Sequence, residues 1–279
     1  MHPILLSVLE TAGVTLLAAS GALAGRRLAQ IPRWWHLGYA LPLLLITVIS
    51  VPRWLPTAAV WPPFRWLMEG RLIFALMAPL CGLLLFTLRA HLKPAGQKRA
   101  VMAFTGVFVV YFSALPFLMP GFAYPALSRL KPHEDRFGVC MQQTPYTCGP
   151  ASAVTMLRAL GLDSDEGRLA ILAHTNAFIG TTNGCLCAAI REDTGVACHT
   201  ESFDSVAQLR GRTPCIAVVK FSMMNDHFVT VIGVTEGGVL IGDPVSGLRI
   251  DTPEQFAGIW RRTAIVADAA DAGRRTASK

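Results

Sequence analysis

The chain has 279 residues, 52% of them hydrophobic and only 15% charged, with a net charge of +7. Soluble globular chains carry about 25% charged residues, so this composition excludes a protein exposed to water along its whole length. The basic excess sits in one half: residues 1–130 hold 11 Lys/Arg against 2 Asp/Glu, and residues 131–279 hold 14 against 16. That distribution suits loops flanking membrane helices, and no Lys/Arg cluster interleaved with aromatics points to nucleic acid.

Four apolar runs predict about four membrane helices within a membrane segment over 1–120, at approximately 4–24, 36–51, 71–88 and 101–119. The second run is short, and Trp34 and Trp35 at its start extend it at headgroup level. Loops one and three hold Arg26, Arg27, Arg33, Arg89, Lys93, Lys98 and Arg99, whereas loop two holds Arg53, Arg65 and Arg71. The more basic side faces the cytoplasm. Four spans then put the N-terminus and the C-terminal half outside, as expected of a multi-pass protein of a bacterial inner membrane with its soluble domain extracytoplasmic. Ala22-Leu23-Ala24 has the form of a signal-peptide cleavage site, but the run lacks a basic start and contains Glu10, which favours an uncleaved helix. Glu10 itself reads as a carboxylate near the interface or paired inside the helix bundle. Residues 121–138 contain Pro125 and Pro132 and read as a linker.

The chemistry lies in the soluble half. Cys148-Gly149-Pro150 opens a helix whose Ala153, Val154, Leu157 and Leu160 recur at helical spacing before Gly161. A cysteine at a helix N-terminus is favoured as the thiolate, by the dipole and by free backbone N–H groups. Such a nucleophile needs a base and an orienting group. The run from Asp226-His227 to Val234, the turn Glu236-Gly237-Gly238 and the run Val239 to Asp243-Pro244 read as a β-hairpin. His227 opens its first strand and Asp243 closes its second, so the two meet at one end of the sheet, with Asp226 as an alternative orienting carboxylate.

Gln142 five residues before Cys148, then Cys148-Gly149-Pro150-Ala151, Asp226-His227-Phe228-Val229, Asp243-Pro244 and Gly247, resemble the C39 peptidase family, papain-like enzymes that remove double-glycine leaders from bacteriocins. The resemblance covers about 139–266. It implies an α+β papain-like domain, a helix carrying the cysteine packed on an antiparallel sheet; in this chain that domain is expected to follow the all-α multi-pass membrane segment. It implies Cys148 as nucleophile, His227 as general base and acid, Asp243 as orienting group and Gln142 as oxyanion donor, with Gln143 an adjacent competitor for that last role. The expected activity is hydrolysis of peptide bonds in a peptide or protein substrate, with no cofactor and no metal. A peptide-binding domain without activity, accessory to a membrane transport or sensing protein, is the alternative. The best-known members join this domain to an ABC transporter, whereas no G-x-x-x-x-G-K-[ST] loop and hence no ATP-binding module occurs here.

Cys185-x-Cys187 with Cys198-His199 is too tightly spaced for the usual structural zinc motif, and disulfides or unbridged thiols are the preferred reading. His174 and His199 are expected to carry no chemistry. Asp251-Thr252-Pro253-Glu254 opens a last helix with Phe256, Ile259 and Trp260 on its apolar face, and the tail 267–279 is expected to be disordered.

Overall fold

A computed structural model describes residues 2–55, 58, 61–62, 64–68, 70–221 and 225–268. The chain divides into two compact units, one of residues 1–55 and 66–122, the other of 56–65 and 123–279. The tail read as disordered lies outside the described residues from 269 onward.

The first unit is helical: α1 (Pro3–Leu28), α2 (Leu37–Trp54), most of the short α3 (Phe64–Met68), α4 (Leu72–His91) and α5 (Ala95–Val109), followed through a π-helical turn (Val110–Ala114) by α6 (Leu115–Leu127), whose residues from Ala123 on belong to the second unit. Among the described residues two helices, α1 and α4, are long and apolar enough to cross a membrane. Leu37–Ile49 of α2 and the whole of α6 are apolar but shorter. The run expected at 101–119 is thus part of a helical stretch that starts at Ala95 and is interrupted midway. Pro116 cannot donate to the carbonyl four residues back, and the ladder opens into the π turn just ahead of it.

Small residues bring α1 and α4 together. A side chain at Gly21 would fall 1.9 Å from the Pro79 carbonyl oxygen, one at Gly25 2.6 Å from that of Leu83, and one at Gly82 2.2 Å from that of Ala18. Gly21 and Gly25 form a G-x-x-x-G pair, the spacing that lets apolar helices touch backbone to backbone. Glu10 on α1 is bonded by both terminal nitrogens of Arg71, at 2.8 and 2.7 Å, and Arg71 also lies over the Phe117 ring. The carboxylate is therefore paired within the bundle.

The second unit is an α+β domain. Its six strands, β1 (Cys198–Ser202), β2 (Cys215–Lys220), β3 (Asp226–Val234), β4 (Val239–Asp243), β5 (Gly247–Asp251) and β6 (Trp260–Ala267), form one antiparallel sheet in the order β1-β6-β2-β3-β4-β5. On one face pack α7 (Cys148–Ala159), α8 (Glu166–Leu172) and α9 (Asn183–Thr194), sharing a core with Ile216, Val218, Phe228 and Ile265. On the other, α10 (Pro253–Ile259) and a 3-10 turn (Val206–Arg212) cover Val229, Val231, Ile241 and Ala264. With both faces covered, β2 has the near-continuous apolar run Cys-Ile-Ala-Val-Val.

Two sequence readings are corrected. The linker over 121–138 begins inside α6, and Ala123 and Leu127, at helical spacing, are buried with Ala170 of α8. Trp260 does not belong to the last helix: α10 ends at Ile259, and Trp260 starts β6 while its ring stacks on Phe256. Asp165, Thr182 and Thr252 cap α8, α9 and α10 with side-chain oxygens, Thr252 in a reciprocal pair with Gln255.

Candidate active site

α7 begins beside the start of β3. The Ser152 hydroxyl donates to the Phe228 carbonyl at 3.0 Å, and the Thr230 hydroxyl donates to the Ser152 carbonyl at 2.7 Å. Gly149 sits where a larger residue would press on Thr181, Leu186 and Phe228. No side chain caps α7: Thr147 turns its hydroxyl to the Thr144 carbonyl instead. The first backbone N–H groups of a helix lack intrahelical partners, so the positive end of α7 stays open beside the half-buried Cys148.

His227, second residue of β3, hydrogen-bonds to the Cys148 side chain. Its Nε2 lies 3.0 Å from Asp243 Oδ1, which leaves Nδ1 as the ring nitrogen for the sulfur. The imidazole is buried. Burial alone lowers its pKa, but the bonds to Asp243 and Cys148 more than offset this and raise it from 6.5 to about 9. Asp243 also accepts the Val245 N–H at 2.9 Å on Oδ1, and Arg249 Nε stands 3.6 Å from Oδ2. Burial raises the Asp243 pKa, and the His227 and Val245 bonds with the Arg249 charge bring it below its ordinary value.

The structure thus brings Cys148, His227 and Asp243 together. Asp226, the alternative carboxylate, is bonded by Arg261 instead. Gln142 is tied to the same corner, its backbone N–H donating to the Pro244 carbonyl at 2.9 Å. Its Nε2 donates to the Thr144 carbonyl at 2.9 Å, and its Oε1 is buried without a partner. Gln143 is engaged elsewhere: its backbone N–H and Nε2 bond the buried Glu166, and Nε2 also bonds the Lys131 carbonyl.

Thiol chemistry differs among the cysteines. Burial pushes the Cys140 and Cys215 thiols up to about 12, so neither supplies a thiolate near neutral pH. Among the described residues no disulfide joins any two cysteines, and no group of three or more His, Cys, Asp or Glu has metal-site geometry. His199 is bonded to Asp268 at 2.9 Å, away from this site.

The sequence reading did not single out two neighbours of the imidazole. The Phe221 ring is tilted against it at 5.6 Å, and Arg249 stands behind Asp243. Arg249-Ile250-Asp251 carries a strand-period charge pair beside the hairpin, which was the available clue for Arg249.

Residues 136–272 match the family described as the Peptidase C39 family. An uncharacterised protein of Methanothermobacter marburgensis is 31% identical over 130 residues, covering 47% of this chain and 87% of that one. Among solved structures, the peptidase domain of Streptococcus ComA, a bi-functional ABC transporter involved in a quorum-sensing pathway, is 25% identical, with 46% of this chain and 94% of that chain covered and a TM-score of 0.40. A double-glycine motif protease from an AMS/PCAT transporter, solved with its leader peptide, is 19% identical, with 49% and 91% covered and a TM-score of 0.41.

Proposed function

This chain belongs to the Peptidase C39 family through residues 136–272, and on that premise we propose that it is a membrane-bound cysteine peptidase in which Cys148, His227 and Asp243 carry acyl transfer. The observation behind this reading is the single run of contacts from the Cys148 sulfur through the His227 imidazole to Asp243 Oδ1, at the open end of α7.

The imidazole takes the thiol proton, and the Cys148 thiolate attacks the carbonyl carbon of a peptide bond. The oxyanion is met by the Cys148 backbone N–H and by Gln142 Nε2, which has a second hydrogen beyond the one given to Thr144. His227 then returns its proton to the leaving amine, and a water activated by the same ring releases the acyl group. Asp243 holds the ring in orientation and stabilises its charged form.

In the same reading α1 and α4 cross the membrane, and α2 with the α5–α6 run complete four spans. The basic loops around Arg26 and Arg89 then face the cytoplasm, and the peptidase unit lies outside. A periplasm-active reporter fused after residue 268 is expected to be active, and one fused at Lys93 inactive; the reverse pattern would refute the orientation.

The decisive test compares peptides in membranes of cells carrying the wild-type protein and Cys148→Ala. Specific products present only with the wild type are expected. Identical profiles, with both proteins present at equal level, would leave the peptide-binding alternative in its place.

A further inference from the structure

We propose that Arg249 is a positioning residue of this site: it shares the Asp243 carboxylate with the His227 imidazole, and Asp251 sets how strongly it does so. The inference rests on the peptidase reading above and goes beyond its residues.

The placement follows from strand register. Val229 and His227 lie two residues apart on β3 and so share a face. Past Thr230 opposite Gly242, Asp243 falls opposite Val229 on that face. On β5 Arg249 pairs with Ile241 and Asp251 with Val239, which again share the face of Asp243. Three adjacent strands therefore present imidazole, carboxylate, guanidinium and carboxylate in alternating charge.

The contacts divide the Asp243 carboxylate between two cations. Oδ1 takes His227 Nε2 and the Val245 N–H, whereas Oδ2 faces Arg249 Nε at 3.6 Å. That Nε is buried and has no hydrogen-bond partner. A buried donor without a partner is costly, so the half-ångström closure onto Oδ2 is favoured whenever Asp243 has negative charge to offer. The other branch of the guanidinium is held: Nη1 lies 2.7 and 2.6 Å from the two oxygens of Asp251. Asp251 thus neutralises part of the Arg249 charge and aims the fork. The other groups around His227 are Cys148 from α7, the Phe221 ring, and its neighbour Asp226, which is held by Arg261 of β6.

Opposite signs follow for the two β5 residues. Removing Arg249 leaves Asp243 wholly to the imidazole, with Asp251 adding uncompensated negative charge, so His227 holds its proton to higher pH. Removing the charge of Asp251 frees Arg249 to draw on Asp243 and repel the imidazolium, so His227 gives up its proton at lower pH. A purely structural role would not separate the two variants in sign.

The test is the pH profile of Cys148 alkylation by iodoacetamide in the full-length protein in detergent, read by mass spectrometry of the Cys148 peptide. Arg249→Gln is expected to move the alkaline inflection up by about half a unit to one unit, and Asp251→Asn to move it down by a similar amount, since interposed groups weaken the full effect of a charge in contact. Arg249→Lys, which keeps the charge, is expected to lie between wild type and Arg249→Gln. Coincident profiles, or shifts of one sign in Arg249→Gln and Asp251→Asn, overturn the proposal. His227→Gln separates the two levels: if it leaves the wild-type profile unchanged, the peptidase reading fails, and if it removes alkylation near neutral pH, leaving only the alkaline rise of an ordinary thiol, while Arg249→Gln does not move the wild-type inflection, only the role of Arg249 fails.

Discussion

His227 and Asp243 share a face of the sheet because β3 carries one extra residue between them and the hairpin turn. Next to the turn, Val234 faces Val239 and Gly233 faces Leu240; beyond Ile232 the register shifts, so Val231 faces Ile241 and Thr230 faces Gly242. Without that bulge Asp243 would lie opposite Thr230, whose hydroxyl points to Ser152 of α7. A one-residue shift moves a side chain to the other face, and here it carries the carboxylate onto the face of the imidazole.

In the proposed mechanism the charge on that carboxylate has a measurable share. Asp243→Asn keeps an acceptor for Nε2 but removes the negative charge that, with Cys148, holds His227 up at about 9. Peptide hydrolysis is expected to fall by about 10²–10⁴, and the alkaline inflection of Cys148 alkylation to move to lower pH. An inflection left in place would show that another group sustains the imidazolium.

The same ring links stability to pH. Its folded pKa of about 9 lies above the ordinary 6.5, so the folded state binds the proton more tightly than the unfolded chain. The resulting stabilisation is fully present below pH 6.5 and is lost as pH rises through about 9. The melting temperature of the wild type should therefore exceed that of His227→Gln by the most at pH 6, with the gap closing by pH 9.5. Differential scanning calorimetry of both proteins across this range checks it; a gap that widens with pH contradicts the sign.

Within the helical unit, Glu10 and Arg71 are expected to depend on each other. Arg71→Met leaves Glu10 without its bidentate partner and should destabilise by about 3–5 kcal/mol, whereas adding Glu10→Gln should restore much of the loss because no uncompensated charge remains. Thermal unfolding of the four proteins of the double-mutant cycle in one detergent measures the coupling. Additive losses would mean that the two residues do not interact.

The α1–α4 crossing depends on glycine at particular positions. Gly21→Leu or Gly82→Leu should abolish the close approach, because the first added carbon already overlaps backbone oxygens, whereas the first carbon added at Gly13 meets nothing within 4 Å, which makes Gly13→Leu the control. Yield and melting temperature of the solubilised protein should fall for the first two and stay near wild type for the third. Equal behaviour of all three would place the helix contact elsewhere.

Local pattern accounts for much of what could be read in advance. Cys148 at a helix start, the β3–β4 hairpin with its Glu-Gly-Gly turn and the strand before α10 follow from residue types and spacing, which act over a few positions. Trp260 reads as helical because its aromatic ring continues the helical pattern of Phe256, and it still packs on that ring from the first position of β6. The four apolar runs were legible as well, but hydropathy says little about where a helix is interrupted, and the π turn before Pro116 lies inside one of them.

Residue chemistry and short-range periodicity were thus enough to settle that a cysteine opens a helix and that a histidine and an aspartate end paired strands, since those choices are made by neighbours in the chain. Which groups meet required the folded molecule. The bulge at Ile232 selects the face, Asp226 is claimed by Arg261 35 residues away, and Glu10 finds Arg71 across 61 residues. Register parity and long-range charge pairing are properties of packed elements, and neither leaves a trace in the spacing of a single segment.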